Sequence, residues 1–130
     1  MNALPLLIML ITPSDLRPLL DALRTVESGG DDRAVGDNGA SKGPYQIKRE
    51  YWLDSGVRLS YDQHVWNRAA SEQVVRAYWK RYCPKALKAN DCQTLARVHN
   101  GGPAGARKEC TRGYWVKVRG RLRAKISGRG

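Results

Sequence analysis

Apolar positions recur at helical spacing near the start of the chain. They lie three or four residues apart on one face of a helix, at Leu16, Leu19, Leu20, Leu23 and Val26. This spacing predicts a helix over residues 14–28. Ser14 suits its N-cap, Pro18 is tolerated in the first turn, and Gly29 provides the stop.

Four further helices and one hairpin follow from similar patterns. Residues 31–47 are rich in Gly, Asp and Asn and predict a short hairpin. The first two predicted helices are 49–54, which ends at Ser55-Gly56, and 67–82, which buries Ala70, Val74, Ala77 and Tyr78. A third helix starts near Asp91 and turns Leu95 and Val98 inward, and a fourth covers residues 108–119. Trp52 is expected in the core, and Tyr51 in the core or on a cleft wall. The expected class is α+β, mostly α.

Glu27 closes the first helix on the flank of its apolar stripe, four residues after Leu23. A carboxyl there is partly withdrawn from water, which suits a general acid. The alternative is a solvated glutamate at a helix end. The helix alone leaves both interpretations open.

Asp37 lies beside the Asp-Asn-Gly turn of the hairpin, ten residues after Glu27. Two carboxylates in unlike surroundings are what glycoside hydrolysis requires, since one protonates the leaving oxygen and the other attacks or stabilises the sugar cation. Asp37 alone could equally be a turn residue that bonds its own backbone. The pair is therefore a hypothesis at this stage.

A set of motifs in fixed order then carries a resemblance to a known family. The motifs are Glu27-Ser28-Gly29, Asp37-x-Gly39, Gly43-Pro44-Tyr45-Gln46-Ile47-Lys48, Tyr51-Trp52-Leu53-Asp54-Ser55-Gly56, Tyr78-Trp79-Lys80-Arg81-Tyr82 and Ala96-Arg97-Val98-His99-Asn100-Gly101-Gly102-Pro103. Over residues 16–118 the chain resembles the invertebrate-type (i-type) lysozymes, the destabilase family. The loop between Asp37 and Gly43 looks one residue shorter than is usual in that family.

The resemblance implies a lysozyme-like fold, with a helical lobe and a small hairpin lobe flanking a glycan cleft. It implies hydrolysis of the β-1,4 bond between N-acetylmuramic acid and N-acetylglucosamine in peptidoglycan, with chitin oligomers as secondary substrates. Glu27 matches the general acid and Asp37 the second carboxylate. The residues expected to contact sugar are Ser41, Tyr45, Gln46, His99 and Asn100.

Two alternatives share this scaffold. The Glu-Ser pair and the Gly-x-x-Gln-Ile run also resemble lytic transglycosylases, in which Glu27 would act alone to give an anhydro sugar. Some destabilase relatives are credited with isopeptidase activity, and Ser41 and Lys48 occupy comparable positions. A serine nucleophile would need an activated lysine nearby, which nothing in the sequence shows.

The cysteines depart from the family, whose members are rich in disulfides. Only Cys83, Cys92 and Cys110 occur here, so at most one pair forms within the chain. Cys83 and Cys92 flank a Pro-containing loop and are the favoured pair, while three reduced thiols packed as small apolar groups remain the alternative. So few cysteines suggest a microbial or viral relative.

Charge is distributed unevenly along the 130 residues. Residues 1–65 contain 7 Lys and Arg against 9 Asp and Glu, whereas residues 66–130 contain 16 against 3, so the net charge of +11 comes from the second half. Such a basic half attracts polyanions, including the anionic polymers of a bacterial wall. A nucleic-acid-binding module is the alternative of another class, but no recognition motif for a specific nucleic acid appears.

The remaining expectations concern organisation. Residues 1–12 are an apolar segment, either a signal-peptide core or a segment packed on the domain; 13–119 form one catalytic domain; and 120–130 form a basic flexible tail. We expect a monomer without a transmembrane span, secreted or associated with the periplasm or cell wall. Neither His64 nor His99 has partners at metal-ligand spacing, so no metal or other cofactor is expected.

Overall fold

The computed structural model describes residues 16–126. Its α-helices are α1 (Arg17–Ser28), α2 (Arg49–Ser55), α3 (Tyr61–His64), α4 (Arg68–Tyr82), α5 (Pro84–Ala89), α6 (Cys92–Gly101) and α7 (Arg112–Ile126). Strands β1 (Val35–Gly36) and β2 (Ser41–Lys42) form a two-stranded antiparallel hairpin that pairs Val35 with Lys42 and Gly36 with Ser41. The α-rich α+β class is confirmed.

Helix α1 buries the apolar stripe that its sequence predicts. Leu19, Leu20 and Leu23 are fully or almost fully buried, and Pro18 lies in the first turn. Gly29 ends the helix with φ 64°, a conformation that is strained for residues with a Cβ. The predicted cap Ser14 lies outside the described residues.

The core joins α1 to the later helices. Helix α1 packs against α7, α2 packs against α4, and α6 packs against α7. Two tryptophans at its centre keep their indole N–H groups satisfied, since Trp52 donates to Leu59 O and Trp79 donates to Leu95 O. Asn67 and Asp91 cap α4 and α6 through their side chains, and each lies where the sequence predicts that its helix begins.

The structure differs from the predicted elements between α4 and α6 and after Arg119. The Pro84-containing segment, predicted as a loop, is the short helix α5, because proline at the first turn is preorganised for a helix. Helix α7 runs to Ile126, so the first seven residues of the predicted flexible tail are helical. The stripe of α4 also differs, since Ser71, Val75 and Trp79 are buried while Ala77 is only partly so.

No helix within residues 16–126 combines the length and apolar character that a membrane crossing needs.

Candidate active site

A cleft of about 600 Å³ brings together most of the residues singled out in the sequence. Its walls include Glu27, Asp37, Ser41, Gln46, Lys48, His99 and Asn100. These residues come from the end of α1, the hairpin, the loop after it and the end of α6. The two candidate carboxylates therefore share one cleft.

Glu27 lies near the C-terminal end of α1, where it is held by residues distant in sequence. Its side chain is 17% exposed. The hydroxyl of Tyr114, on α7, donates to Glu27 Oε2 over 2.8 Å, and His99 Nε2 lies 3.3 Å from the same oxygen. Glu27 is thus a largely buried carboxyl with a fixed orientation.

Ser28 connects the end of α1 to the loop that faces it. Its hydroxyl lies within hydrogen-bond distance of Arg24 O and Pro44 O and accepts a bond from the Gly30 amide. These bonds join α1 to the loop formed by residues 43–47. The Glu-Ser pair of the motif therefore supplies one catalytic candidate and one anchor for its surroundings.

Asp37 occupies the hairpin turn, in surroundings unlike those of Glu27. It is exposed, and both Asp37 (φ 51°) and Asn38 (φ 56°) adopt left-handed backbone conformations. The Ser41 hydroxyl donates to Asp37 Oδ2 over 2.5 Å. Strained backbone at a site is compatible with a functional constraint, and Ser41 fixes the orientation of the carboxylate.

Gln46 supports the hairpin from below. Its side-chain amide donates to the carbonyls of Ala34 and Gly43, each over 3.0 Å. A Cβ at Gly36 would lie only 2.5 Å from Gln46 Oε1, so a larger residue there would displace the end of the Gln46 side chain. Gln46 lines the cleft, but its amide N–H groups are committed to the backbone that carries Asp37.

Tyr45, expected from the sequence to contact sugar, does not lie on the cleft wall. Tyr45 is fully buried and is not part of the cleft wall. Its hydroxyl donates to Glu72 Oε2 over 2.6 Å, and burial raises the pKa of the phenol well above its ordinary value. Its side chain stabilises the core, while its carbonyl oxygen faces His99.

His99 lies on the cleft wall and is also held by hydrogen bonds. Its Nδ1 lies 2.8 Å from the Tyr51 hydroxyl and its Nε2 lies 3.2 Å from Tyr45 O. Its side chain is only 2% exposed, yet it reaches both the cleft wall and Glu27. The sequence places His99 in the cleft, but its partners come from α1, α2 and the loop after the hairpin and cannot be read from the local pattern.

Asn100 and Lys48 are exposed on the cleft wall. Ser41 and Lys48, the pair considered for isopeptidase chemistry, both line the cleft, but the Ser41 hydroxyl donates to Asp37. The arrangement therefore couples this serine to a carboxylate.

Tyr114 is the principal residue of the site that the sequence does not connect with Glu27. It lies 87 positions from Glu27, on a helix that the pattern places but whose contacts it cannot predict. Burial raises the pKa of Tyr114 well above its ordinary value, and the nearby Glu27 adds to this.

Lys108 also lines the cleft and donates to Gly101 O over 2.7 Å.

All three cysteines are free thiols, so the predicted Cys83–Cys92 disulfide is not formed in this structure. Cys83 and Cys92 are partly buried and pack against the apolar core. Burial raises the pKa of the Cys83 thiol to about 11, and it also raises that of Cys92. Both therefore act as small apolar groups. In the part of the chain that the structure describes, no three His, Cys, Asp or Glu side chains are grouped as metal ligands.

The sequence model of the destabilase family matches residues 18–120, which include the cleft residues described above. The chain belongs to the destabilase family. The match confirms the resemblance found in the ordered motifs.

The chain is similar to several lysozymes in sequence and in structure. The chain is 44% identical over 82 residues to Lysozyme 1 of Crassostrea virginica, covering 62% of this chain and 45% of that protein. The crystal structure of inhibitor-bound lysozyme from Meretrix lusoria superposes with a TM-score of 0.70 at 34% identity, covering 87% of this chain and 91% of that one. The crystal structure of Tapes japonica lysozyme superposes with a TM-score of 0.69 at 32% identity, covering 78% of this chain and 86% of that one. The lysozyme-like fold is thereby confirmed.

The chain spans about half the length of the lysozymes that it matches from Crassostrea virginica, Ostrea edulis and Magallana gigas.

Proposed function

We propose that this destabilase-family protein is a glycoside hydrolase that cleaves the β-1,4 bond between N-acetylmuramic acid and N-acetylglucosamine in peptidoglycan. The observation that carries the proposal is that Glu27 and Asp37 line one cleft in unlike surroundings. Glu27 is largely buried, whereas Asp37 is exposed on a turn. Lysozymes among its relatives and structural neighbours support the same activity.

The reaction assigns a separate task to each carboxyl group. Glu27, protonated, gives its proton to the oxygen of the glycosidic bond as that bond breaks. Asp37, ionised, forms or stabilises the glycosyl intermediate on the muramic acid side. Glu27 then takes a proton from water as the water attacks the intermediate, which regenerates both groups.

Ser41 and Gln46 prepare Asp37 for this task. Ser41 holds one carboxylate oxygen, and Gln46 holds the strands on either side of the turn. Neither bond needs to form during the reaction, so the carboxylate is preorganised. Lys48 and Asn100, on the exposed part of the wall, are the proposed contacts with the glycan and its peptide.

The single-acid transglycosylase remains the alternative within this site. It leaves Asp37 without a chemical role, although Asp37 lines the cleft and its orientation is fixed by Ser41. An isopeptidase would need the proton of Ser41 to pass to Lys48, but that proton is directed to Asp37. The geometry therefore favours the hydrolase with two carboxyl groups.

Glu27→Gln tests the proposal through reducing ends released from purified peptidoglycan. We expect a loss of at least about 100-fold, because the amide has no proton to give. Glu109→Gln is the matched control, since Glu109 is 82% exposed and outside the cleft wall. A Glu27→Gln variant with near-normal activity would remove the proposal.

We also propose that α7 binds the anionic polymers of the wall. The helix carries six Lys and Arg residues and no Asp or Glu. Its Lys117, Arg121 and Arg123 are exposed and form no ion pair within the described part of the chain. A cationic face of this kind raises the local concentration of the protein on a polyanion.

Binding to sacculi with and without teichoic acid tests this partner. Replacing Lys117, Arg121 and Arg123 by Gln should weaken binding to the teichoic-acid-bearing sacculi. Replacing the exposed Arg58, Lys85 and Lys88 by Gln changes net charge equally and should weaken it less. Equal losses would show that only net charge matters, and tight binding to duplex DNA without glycan cleavage would favour the nucleic-acid module.

A wall substrate lies outside the bacterial membrane, so we further propose a secreted or wall-associated location. Fractionation of cells that express the full chain tests it, and the activity should appear outside the cytoplasm.

A further inference from the structure

The two oxygens of the Glu27 carboxyl group have different surroundings. Oε2 accepts the hydrogen bond from Tyr114 and lies 3.3 Å from His99 Nε2. Oε1 receives no hydrogen bond from any residue between 16 and 126. One oxygen is thus held by the protein, and the other is left for the cleft.

The direction of each hydrogen bond follows from the partners. Tyr45 O can only accept, so His99 Nε2 carries a proton, and in the neutral imidazole Nδ1 then accepts from the Tyr51 hydroxyl. Burial raises the pKa values of Tyr51 and Tyr114 well above the ordinary value for tyrosine. Both phenols therefore keep their protons throughout the neutral range, and Tyr114 donates to the Glu27 carboxylate.

We propose that Tyr114 is a positioning residue that holds Glu27 Oε2 and thereby makes Oε1 the oxygen that carries and delivers the catalytic proton. The inference rests on the proposed role of Glu27 as general acid. His99 completes the arrangement, because its bonds to Tyr45 O and Tyr51 place the imidazole edge against the same oxygen. Tyr114 and His99 do not donate the proton to substrate.

The position of Tyr114 explains why a residue on the last helix belongs to this site. Helix α7 packs along α1, and Val118, one turn after Tyr114, is fully buried. The helix that presents the hydroxyl is therefore fixed to the helix that carries Glu27. Because α1 and α7 are already packed together, the hydrogen bond between Tyr114 and Glu27 needs little further ordering of either side chain when the reaction begins.

Removing the Tyr114 hydroxyl should slow the reaction without weakening substrate binding. Tyr114 on α7 donates a hydrogen bond to Glu27, His99 on α6 lies beside the same oxygen, and Tyr51 on α2 bonds His99. The other charged or titratable side chains on the cleft wall are Asp37, Lys48, Glu50, Asp54, Tyr78, Lys108 and Cys110. Without the Tyr114 hydroxyl, the Glu27 side chain can turn and present either oxygen to the substrate.

Tyr114→Phe is the direct experiment, with kcat and KM measured on a soluble peptidoglycan fragment. We expect kcat to fall about tenfold while KM stays unchanged. Tyr82→Phe is the matched control, because Tyr82 is partly buried but outside the cleft wall. A Tyr114→Phe enzyme with wild-type kcat, or one that loses activity only through KM, would overturn the proposal.

A second measurement needs no change at Tyr114. In the wild-type protein, proton NMR should show a Tyr114 hydroxyl proton that exchanges slowly with water and whose resonance moves in Glu27→Gln. A resonance that Glu27→Gln leaves in place contradicts the inference, even if Tyr114→Phe does not fold. Failure of the proposed function is a different result, since the wild-type protein would then release no glycan product while the NMR contact persisted.

Discussion

Ser41 illustrates how one buried hydroxyl can serve a catalytic candidate. It is 2% exposed and donates to Asp37, which itself is exposed on a strained turn. A carboxylate on a turn would otherwise rotate among several orientations. Ser41 selects one of them and leaves the other carboxylate oxygen available to the substrate.

Ser41→Ala should therefore lower kcat roughly tenfold, because a hydrogen bond to a charged group is lost. The effect is expected on kcat rather than on KM and can be measured with soluble peptidoglycan fragments. Ser60→Ala is the control, since Ser60 caps α3 through Gln63 N and is exposed. That control should lose stability without losing kcat, and the same loss of kcat in both variants would contradict a specific role for Ser41.

Sequence patterns locate residues better than they locate contacts. Glu27 and Asp37 can be singled out because a helix end and a turn have local signatures. Tyr45 and His99 belong to the motifs, but whether their side chains face the cleft or the core depends on Glu72 and Tyr51, which lie far away in the chain. Tyr114 cannot be assigned to the site from sequence, because only the packing of α7 on α1 brings it there.

The hairpin depends on a close approach between backbones. Gly43 has φ 82°, and a Cβ at this position would clash with the carbonyl oxygen of Val65. Gly39 also has a positive φ, of 94°, but a Cβ added there would meet no atom within 4 Å. Comparing substitutions at the two positions therefore distinguishes the cost of a disfavoured φ, present at both, from the cost of a steric clash, present only at Gly43.

Gly43→Ala should lower the free energy of unfolding by roughly 3 kcal/mol or more, since it combines a disfavoured φ with a clash against backbone. Gly39→Ala should cost about 1 kcal/mol, from φ alone. Chemical denaturation measures both. Equal costs would show that the Val65 segment moves aside and that the close approach is not required.

Among the elements, strong local signals predict the observed structure. The stripe of α1, the Asp-Asn-Gly turn and the starts of α4 and α6 all agree with it. Helix α5 escapes prediction because six residues are too few to show periodicity. The predicted end of α7 is too early because Gly120 suggests a stop, whereas the helix continues through it.

At the scale of the whole molecule, Glu72 joins three separate parts of the fold. It accepts two hydrogen bonds from Arg17 on α1 and one from Tyr45 on the loop after the hairpin, while it lies on α4 itself. The bond with Arg17, followed by that with Tyr45, holds the pKa of Glu72 below its ordinary value of 4.5 despite burial. Such a group stabilises the folded state only while ionised.

The free energy of unfolding should therefore fall as the pH drops below about 4.5 and through the lowered pKa of Glu72. Above that range the free energy of unfolding of Glu72→Gln should be lower than that of wild type by on the order of 1 kcal/mol. The loss is small because Arg17 is half-exposed and solvent screens its interaction with Glu72. The difference should vanish in acid, where wild-type Glu72 is protonated. Urea unfolding at several pH values measures it.

Asp62→Asn is the control for this pH dependence. Asp62 pairs with Arg49, but both side chains are more than half exposed, so solvent screens the pair. The Asp62→Asn variant should therefore change the pH dependence of the free energy of unfolding only slightly. A Glu72→Gln protein that follows the wild-type curve throughout would show that the contacts among α1, α4 and the loop contribute no net stability.

In the proposed reaction, the carboxyl groups of Glu27 and Asp37 act across one cleft. Mass spectrometry of the soluble products from purified peptidoglycan tests this most directly, with wild type, Glu27→Gln and Asp37→Asn compared at equal concentration. We expect fragments that end in reducing muramic acid from the wild type and a large loss of them in both variants. Anhydro-muramic products that persist in Asp37→Asn would contradict the account and indicate that Glu27 acts alone.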